Sequence, residues 1–283
     1  MSFSPKKFLK YIFIALLAAV LIKSFIFDAY MIPTGSMENT LLEGDYILIN
    51  KVAYSLSTPH TIPLLNTWIS SAQLINFKEP KQGDVVIFKF PGYPTEVYPE
   101  ENSSFIKRII GLPGDTVQII KGEVFVNHIK IELPKDAIIP FDKTKNPDPR
   151  IYPKNRNWEN NNYGPVVVPK EGDTIQLNTK NIEDWQALID RELGGKVVSV
   201  EGSVINIQKR PEREYTVKKN YYFMLGDNRE VSMDSRYWGF VSEDYIIGKA
   251  VLIYWSWDSY KSANGITEFF KPLRLKRLFK IIN

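Results

Sequence analysis

The sequence contains no cysteine and only two histidines, His60 and His128, in 283 residues. Disulfides and thiolate metal sites are therefore excluded. Two histidines leave few ligands for a zinc centre, although carboxylate sites for other metals stay open. Strong charge is also lacking. Lys and Arg total 36 against 32 Asp and Glu, a formal net charge of +4. With no repeat of basic and aromatic residues, that balance gives no reason to expect nucleic acid as a partner. At 44% apolar and 24% charged residues the composition is not that of a disordered chain, and the length suits one large domain or two small ones.

Long uncharged apolar runs are nearly absent. The exception is Tyr11–Ile22, preceded by Lys6, Lys7 and Lys10. A bilayer-spanning helix needs about 20 residues. The run resumes after Lys23 as Ser24-Phe25-Ile26-Phe27, and a lysine near a helix end can snorkel to the headgroups. Residues 11–27 thus form a short span. A cleavable signal peptide has the same basic start and apolar middle, but Phe25-Ile26-Phe27 is wrong for its small-residue cleavage site. The expectation is a retained anchor over residues 1–28, with the N-terminus on the cytoplasmic side and the rest outside.

Beyond the anchor, short runs of β-formers alternate with glycine turns, which predicts a mainly β fold. Strands are expected at Asp45–Val52, Val85–Phe90, Phe105–Ile110, Thr116–Ile120, Tyr221–Leu225 and Gly248–Trp255. Val166–Leu177 reads as a strand–turn–strand, and residues 197–200 and 203–208 as two further strands. Residues 55–80 look like an insert in which Leu64, Leu65, Trp68, Ile69 and Leu74 form a short helix or an apolar surface element. Residues 133–165 carry Pro134, Pro140, Pro147, Pro149, Pro153 and Pro165 and read as an extended surface excursion. Asn181 is placed to cap a helix over Ile182–Arg191, ended by Gly194-Gly195. The expected layout is an anchor at 1–28, a β core at 29–132, an inserted cap or subdomain at 133–200, more core at 201–260 and a tail at 261–283. That tail is basic and amphipathic, suited either to lying on anionic lipid or to docking as a helix on the domain.

Chemistry centres on Pro33-Thr34-Gly35-Ser36-Met37-Glu38-Asn39-Thr40-Leu41. A serine hydroxyl needs a base within hydrogen-bond reach to act as a nucleophile. Neither histidine has a site-like setting: His60 follows Pro59 in a polar loop and His128 sits in a small hairpin. Lys107, in Phe105-Ile106-Lys107-Arg108-Ile109-Ile110-Gly111, is flanked by apolar residues that would ease loss of its proton. On its own, Thr-Gly-Ser also reads as an ordinary turn.

Four stretches in order raise the first reading over the second. They are Ser36–Leu41, Gly83–Phe88, Lys107–Asp115, and Gly226-Asp227-Asn228-Arg229-Glu230-Val231-Ser232-Met233-Asp234-Ser235-Arg236, which runs on to Val241. Together behind an N-terminal anchor they resemble the bacterial type I signal peptidases, the leader peptidase family of serine–lysine membrane proteases. The likeness covers about residues 8–130 and 200–257. It implies a signal-peptidase-type β core with no cofactor or metal, Ser36 as nucleophile, Lys107 as general base and Ser232 orienting the lysine. The Ser36 N–H and the Thr34 hydroxyl would be the oxyanion donors. Tyr30, Ile32, Pro33, Met37, Ile87, Phe105 and Ile106 would line or adjoin shallow apolar pockets, with Asp227, Arg229, Asp234 and Arg236 supporting the site from behind. Glu230-Val231 stands where the family usually has Asp-Asn; these positions neighbour the site without being assigned to it.

The implied activity is removal of signal peptides from secretory preproteins after a small-x-small motif. It would act at the extracytoplasmic face of the bacterial inner membrane, in contact with the phospholipid bilayer and transiently with the translocation machinery. Three alternatives stay open: a serine–lysine protease with another membrane-associated substrate, a self-cleaving repressor-type relative, and an inactive anchored scaffold. The anchor and the absence of a DNA-binding helix pair argue against the repressor type. Ser36 and Lys107 argue against the scaffold.

Overall fold

The computed structural model describes residues 5–59, 61–62, 67–68, 73–97, 99, 103–132, 134, 137, 148–154, 156–258, 260–261 and 271–282. The fold is mainly β, with one N-terminal helix of membrane length. The chain divides into two compact units. One gathers Met1–Met31, Gly44–Pro80 and Ile247–Ile282; the other holds Ile32–Glu43 and Lys81–Ile246.

In the first unit, helix Pro5–Phe25 spans 21 residues, a length of about 31 Å at about 1.5 Å per residue. Proline suits its first position, where the N–H would lack an intrahelical acceptor. Ser24 alone is buried, and Phe8, Leu9, Tyr11, Phe13, Leu16 and Leu21 stand exposed. A helix apolar on its outside is suited to lipid. Among the described residues it is the one helix long and apolar enough to cross a bilayer. The apolar sequence runs on to Phe27, but the helix stops at Phe25. Phe27–Met31 is taken instead by a strand that pairs antiparallel with Tyr46–Asn50, from Phe27↔Asn50 to Met31↔Tyr46. Asp45–Asn50 pairs on its other side with Ile246–Ser256. The insert is not helical where it is described. Ser55–Ser57 pairs with Gln73–Asn76, and Thr61–Ile62 with Thr67–Trp68. Leu74, Ile75 and Phe77 are exposed there. Leu64, Leu65, Ile69 and His60 lie outside the described residues.

Over residues 271–282 the tail is packed on the domain, but not as the expected helix. It forms a 3-10 turn at Leu275–Arg277 and a strand Lys280–Ile281 paired with Leu252–Ile253. Arg277 Nη2 reaches Asp45 Oδ2 at 2.6 Å, and Ser256 Oγ donates to Asp45 Oδ1 at 2.6 Å. Asp45 is wholly buried. A buried carboxylate needs such partners, and they hold the tail as an irregular strap rather than a helix. Leu275, Phe279 and Ile281 remain exposed.

In the second unit, strands Val85–Lys89, Ser104–Gly111, Tyr221–Leu225 and Val241–Ser242 pair antiparallel in that order. Beside them in sequence, Thr116–Ile120 pairs with both Glu123–Val126 and Tyr163–Val167. The anticipated strand–turn–strand at 166–177 is split, because Thr174–Gln176 pairs with Glu214–Thr216 instead. Strands Val198–Glu201 and Val204–Ile207 form a hairpin. Helix Ile182–Glu192 buries Ile182, Leu188 and Ile189. Asn181 precedes it but does not cap it through its side chain. The amide instead accepts from Asn178 N and donates to Gln176 O, closing the preceding turn. One hydrophobic core joins Val117, Ile119, Tyr152, Tyr163, Ile189, Val217 and Phe223. Residues 133–165 are thus not wholly superficial: Ile151, Tyr152 and Tyr163 are core, because aromatic and branched side chains between the prolines have apolar surface to bury. Residues 138–147 lie outside the described set.

Candidate active site

Ser36 is the middle residue of a 3-10 turn, Gly35–Met37, entered from an extended Thr34 with φ −139° and ψ 155°. The turn's bond runs from Glu38 N to Gly35 O. The Ser36 N–H therefore belongs to the opening donors of a helical turn, which have no acceptor inside it. Met37 packs at zero exposure beneath the turn, and Leu41 N bonds to Met37 O at 2.7 Å. These contacts fix the backbone that carries the hydroxyl.

Lys107 lies on the long strand Ser104–Gly111, paired with Val86 on one side. On the other side, pairing with Tyr221–Leu225 ends at Arg108↔Leu225. The lysine is 2% exposed, and its Nζ lies 2.7 Å from Ser36 Oγ and 2.9 Å from the Ile106 carbonyl. Phe105 adds an apolar wall, its ring centroid 5.7 Å from Nζ, and stacks at a tilt on Phe90 and Trp238. Burial lowers the lysine pKa from 10.5 to about 8, against the opposing pull of Asp234 and Asp227 and with a smaller push from Arg236. An ammonium here donates to Ser36 Oγ. The neutral amine accepts the hydroxyl proton.

The Gly226–Arg236 segment backs this pair. Asn228 N donates to Ser36 O at 3.1 Å, Asn228 Nδ2 to Glu38 Oε2 at 3.2 Å, and Thr40 Oγ1 to Asp227 Oδ2 at 2.6 Å. Arg108 binds Asp227 in bidentate fashion, Nε to Oδ1 at 2.9 Å and Nη2 to Oδ2 at 2.8 Å. The serine loop and the lysine strand are therefore tied to the same carboxylate. Asp234 and Arg236, each at zero exposure, form a second bidentate pair with both contacts at 2.8 Å. Burial pushes the Asp234 carboxyl up, but Arg236, with the Ser232 hydroxyl and the Gly226 N–H, outweighs that and holds it below its usual range. Arg236 also donates to the Arg229 carbonyl at 3.0 Å, and Arg229 Nε to the Gly226 carbonyl at 3.1 Å. Gly226 allows the close approach. A Cβ there would stand 2.2 Å from Ser232 Oγ and 2.5 Å from the Ser36 carbonyl oxygen.

The structure thus brings Ser36, Lys107, Asp227, Arg229, Asp234 and Arg236 together. Ser232 is buried beside them and is not bonded to Lys107; its hydroxyl lies close enough to the Asp234 carboxyl to help hold it below its usual range. Thr34 is exposed and makes no capping bond to the turn. Of the anticipated pocket residues, Ile32, Met37, Ile87 and Ile106 are buried, Phe105 is half-buried and Pro33 exposed; Tyr30 lies in the other unit. Glu230 and Val231 face solvent. Sequence reasoning assigned no role to Thr40, Arg108 or Asn228. Thr40 and Arg108 lie within the stretches already singled out, four residues after Ser36 and one after Lys107. His128 sits in the turn between Val126 and Ile129 at φ 67°, away from these residues in a hairpin, as anticipated.

A mainly β fold behind a membrane-length helix, with a serine and a buried lysine in hydrogen-bond contact, defines an anchored protein of serine–lysine type. The family model for "Signal peptidase, peptidase S26" matches residues 6–255, and the chain belongs to that family. Proteins named signal peptidase I from Buchnera aphidicola (Schizaphis graminum), Aquifex aeolicus and Pseudomonas aeruginosa are 32%, 32% and 30% identical to it. The alignments cover 92%, 87% and 90% of this chain and 77%, 82% and 74% of those proteins. The crystal structure of a signal peptidase I from Enterococcus faecalis V583 matches 61% of this chain and 97% of that one, at 23% identity and a TM-score of 0.29. That likeness is too slight to bear on the argument.

Proposed function

We propose that this protein is a membrane-bound serine endopeptidase that removes signal peptides from secretory preproteins after a small-x-small motif. The observation that carries the reading is the 2.7 Å contact between Ser36 Oγ and the buried Lys107 Nζ. Neutral Lys107 takes the Ser36 proton as Oγ attacks the carbonyl carbon before the cut. The Ser36 N–H, with the Thr34 hydroxyl beside it in sequence, receives the developing oxyanion. The protonated amine then gives its proton to the leaving amino group. Next it takes one from water, which attacks the acyl-enzyme and frees Ser36. Ser232 Oγ, buried beside the pair, orients the amine during these transfers. The two buried carboxylate–arginine pairs hold the segment that carries it.

The open side of Ser104–Lys107, where pairing with Tyr221–Leu225 has stopped, suits an extended peptide added as a strand. Ile32, Pro33, Met37, Ile87, Phe105 and Ile106 supply apolar surface for small side chains, and a larger one would overlap it. The basic start before the anchor supports an N-terminus on the cytoplasmic side of the inner membrane and a catalytic domain outside it. The exposed apolar residues Leu275, Phe279 and Ile281 add lipid contact, and the substrate's route implies transient contact with the translocation machinery.

The test is a purified preprotein in detergent. Wild type should cut after the small-x-small site, leucine in place of alanine just before the cut should block it, and Ser36→Ala should lose activity by about 10³-fold or more while keeping the wild-type fold. Undiminished turnover by S36A would remove the serine from the mechanism.

A further inference from the structure

Arg191 is a cation that the mechanism does not use. It stands in the last turn of helix Ile182–Glu192, whose Ile182, Leu188 and Ile189 are buried. Its guanidinium reaches the loop that follows strand Val85–Lys89. Nη2 donates to the Tyr93 carbonyl at 2.6 Å and to the Glu96 carbonyl at 2.9 Å, and Nε donates to the Glu96 carbonyl at 3.1 Å. Within the loop, Glu96 N donates to Tyr93 O and Tyr93 N to Glu96 Oε2, each at 2.9 Å. Among the described residues, every hydrogen bond between residues 91–97 and another element is donated by Arg191. A planar fork of N–H groups suits two such carbonyls, so the arginine sets where this loop lies.

The loop in turn carries aromatic packing that leads to the lysine. Tyr93 meets Phe90 edge-on with ring centroids 5.3 Å apart, and Phe90 meets Phe105 at 4.8 Å. The Phe105 ring lies 5.7 Å from Lys107 Nζ. Trp238 packs on both Phe90 and Phe105, at 5.4 and 5.3 Å, and lines one recess with Pro91, Pro94 and Arg191. Contacts therefore run from the guanidinium to the amine, all inside the second unit. Phe90 and Trp238 are buried, whereas Tyr93 at the loop end is 44% exposed. That outer ring has the least packing of its own and depends most on the backbone that Arg191 holds.

We infer that Arg191 is a positioning residue for the peptidase reaction, holding the Tyr93–Phe90–Phe105 ladder as the dry wall beside Lys107. This rests on the proposed peptidase reading and deepens it. Without the arginine's bonds, Tyr93 can lift from Phe90, Phe105 loses its backing and water reaches the amine. Water favours the charged form. The charges that face the amine are Asp234, Asp227 and Arg236, all on the Gly226–Arg236 segment and outside the ladder. Arg191 is not among them, so losing its charge does not itself act on Lys107. The groups that face Arg191 are Tyr245, Tyr221, Tyr152 and Glu96, and these do not act on the amine either. A wetter Lys107 is therefore harder to deprotonate at neutral pH, yet serves equally well once it is neutral.

The experiment uses the full-length protein in detergent and a soluble peptide carrying a small-x-small site, with kcat/KM measured from pH 6 to 10. Wild type, Arg191→Met, Tyr93→Ala and the double variant are compared, and near-ultraviolet circular dichroism checks the fold of each. Tyr93→Ala keeps the carbonyl that Arg191 binds and removes only the ring. Each single variant should raise the midpoint of the profile by about 0.5–1 pH unit. That is a loss of about three- to tenfold at pH 7, recovered on the plateau at high pH. The double variant should shift no further than the larger single one, because both break the same line of contacts. The inference is overturned if the single variants lose the same factor at every pH, if they match wild type, or if their shifts add. Should Arg191→Met fail to fold, Tyr93→Ala decides, and an unmoved midpoint overturns the inference. If wild type does not cut the peptide, the peptidase reading itself fails, a result distinct from all of these.

Discussion

Replacing Lys107 with methionine should abolish cleavage and stabilise the protein at neutral pH. The lysine pKa falls from 10.5 to about 8 on folding, which corresponds to about 3 kcal/mol of destabilisation while the amine is charged in both states. Methionine has similar length and no charge to bury. It gives up the bond to the Ile106 carbonyl and the contact with Ser36, a cost of about 1–2 kcal/mol. The net gain at pH 7 is about 1–2 kcal/mol, or a rise in Tm of about 2–6 °C for a domain of this size. The sign follows the lowered pKa. Below pH 8 the folded lysine is protonated and the full penalty applies. Between 8 and 10.5 the unfolded chain holds the proton and the folded one does not, so wild-type stability rises with pH. Above 10.5 the penalty is gone, and methionine should be the less stable residue by about 1–2 kcal/mol. Thermal unfolding in detergent, followed by near-ultraviolet circular dichroism from pH 7 to 11, would trace the crossing. A difference between the two proteins that stays flat across that range, or a variant less stable at pH 7, would refute desolvation as the origin of the lysine's lowered pKa.

The same pKa governs catalysis: kcat/KM on a soluble peptide should rise about tenfold per pH unit below about 8 and level off above it. An unchanged rate from pH 6 to 9 would exclude Lys107 as the base. Gly226→Ala should cut activity by about tenfold or more, because the added Cβ falls 2.5 Å from the Ser36 carbonyl and 2.2 Å from Ser232 Oγ. Its crystal structure should reveal a displaced Ser36 loop, and normal kinetics with that loop unmoved would contradict the packing.

What the sequence made legible followed from chemistry that is local along the chain. Thr116–Ile120 and Tyr221–Leu225 alternate or cluster apolar residues between turn formers, and both strands formed where expected. Lys107 was recognisable because its own neighbours, Phe105 and Ile106, desolvate it. The partner of Asp227 was not, because Arg108 lies 119 residues away in sequence and only the sheet brings it there. Nor did periodicity foresee that Val166–Leu177 would part into two sheets, since either strand pairs equally well with the nearer neighbour until the core is packed. Leu112-Pro113-Gly114-Asp115 and Lys170-Glu171-Gly172-Asp173 share one turn chemistry. In each, glycine adopts a φ near 90° and the aspartate carboxylate accepts the N–H three residues back, at 2.8 and 2.9 Å. Lys81-Gln82-Gly83-Asp84 builds the same turn, with that bond at 3.0 Å. A recurring turn of this kind needs no duplicated ancestor.

The clasp between Asp45 and Arg277 has a consequence for the order in which the chain matures. Its two sides are separated by 232 positions. Strand Asp45–Asn50 is made early, yet its carboxylate can meet Arg277 only after residue 277 has been synthesised. If the domain lies outside the inner membrane, that residue must also have been exported. Contacts of such long range form slowly, because chain closure must precede them. The Asp45–Arg277 clasp and the pairing of Lys280–Ile281 with Leu252–Ile253 therefore form late in the maturation of this unit. A chain interrupted between Ser256 and Arg277 would keep helix Pro5–Phe25 and the pairing of Asp45–Asn50 with Ile246–Ser256, yet lack the Arg277 contact and leave Leu252–Ile253 without its Lys280–Ile281 partner.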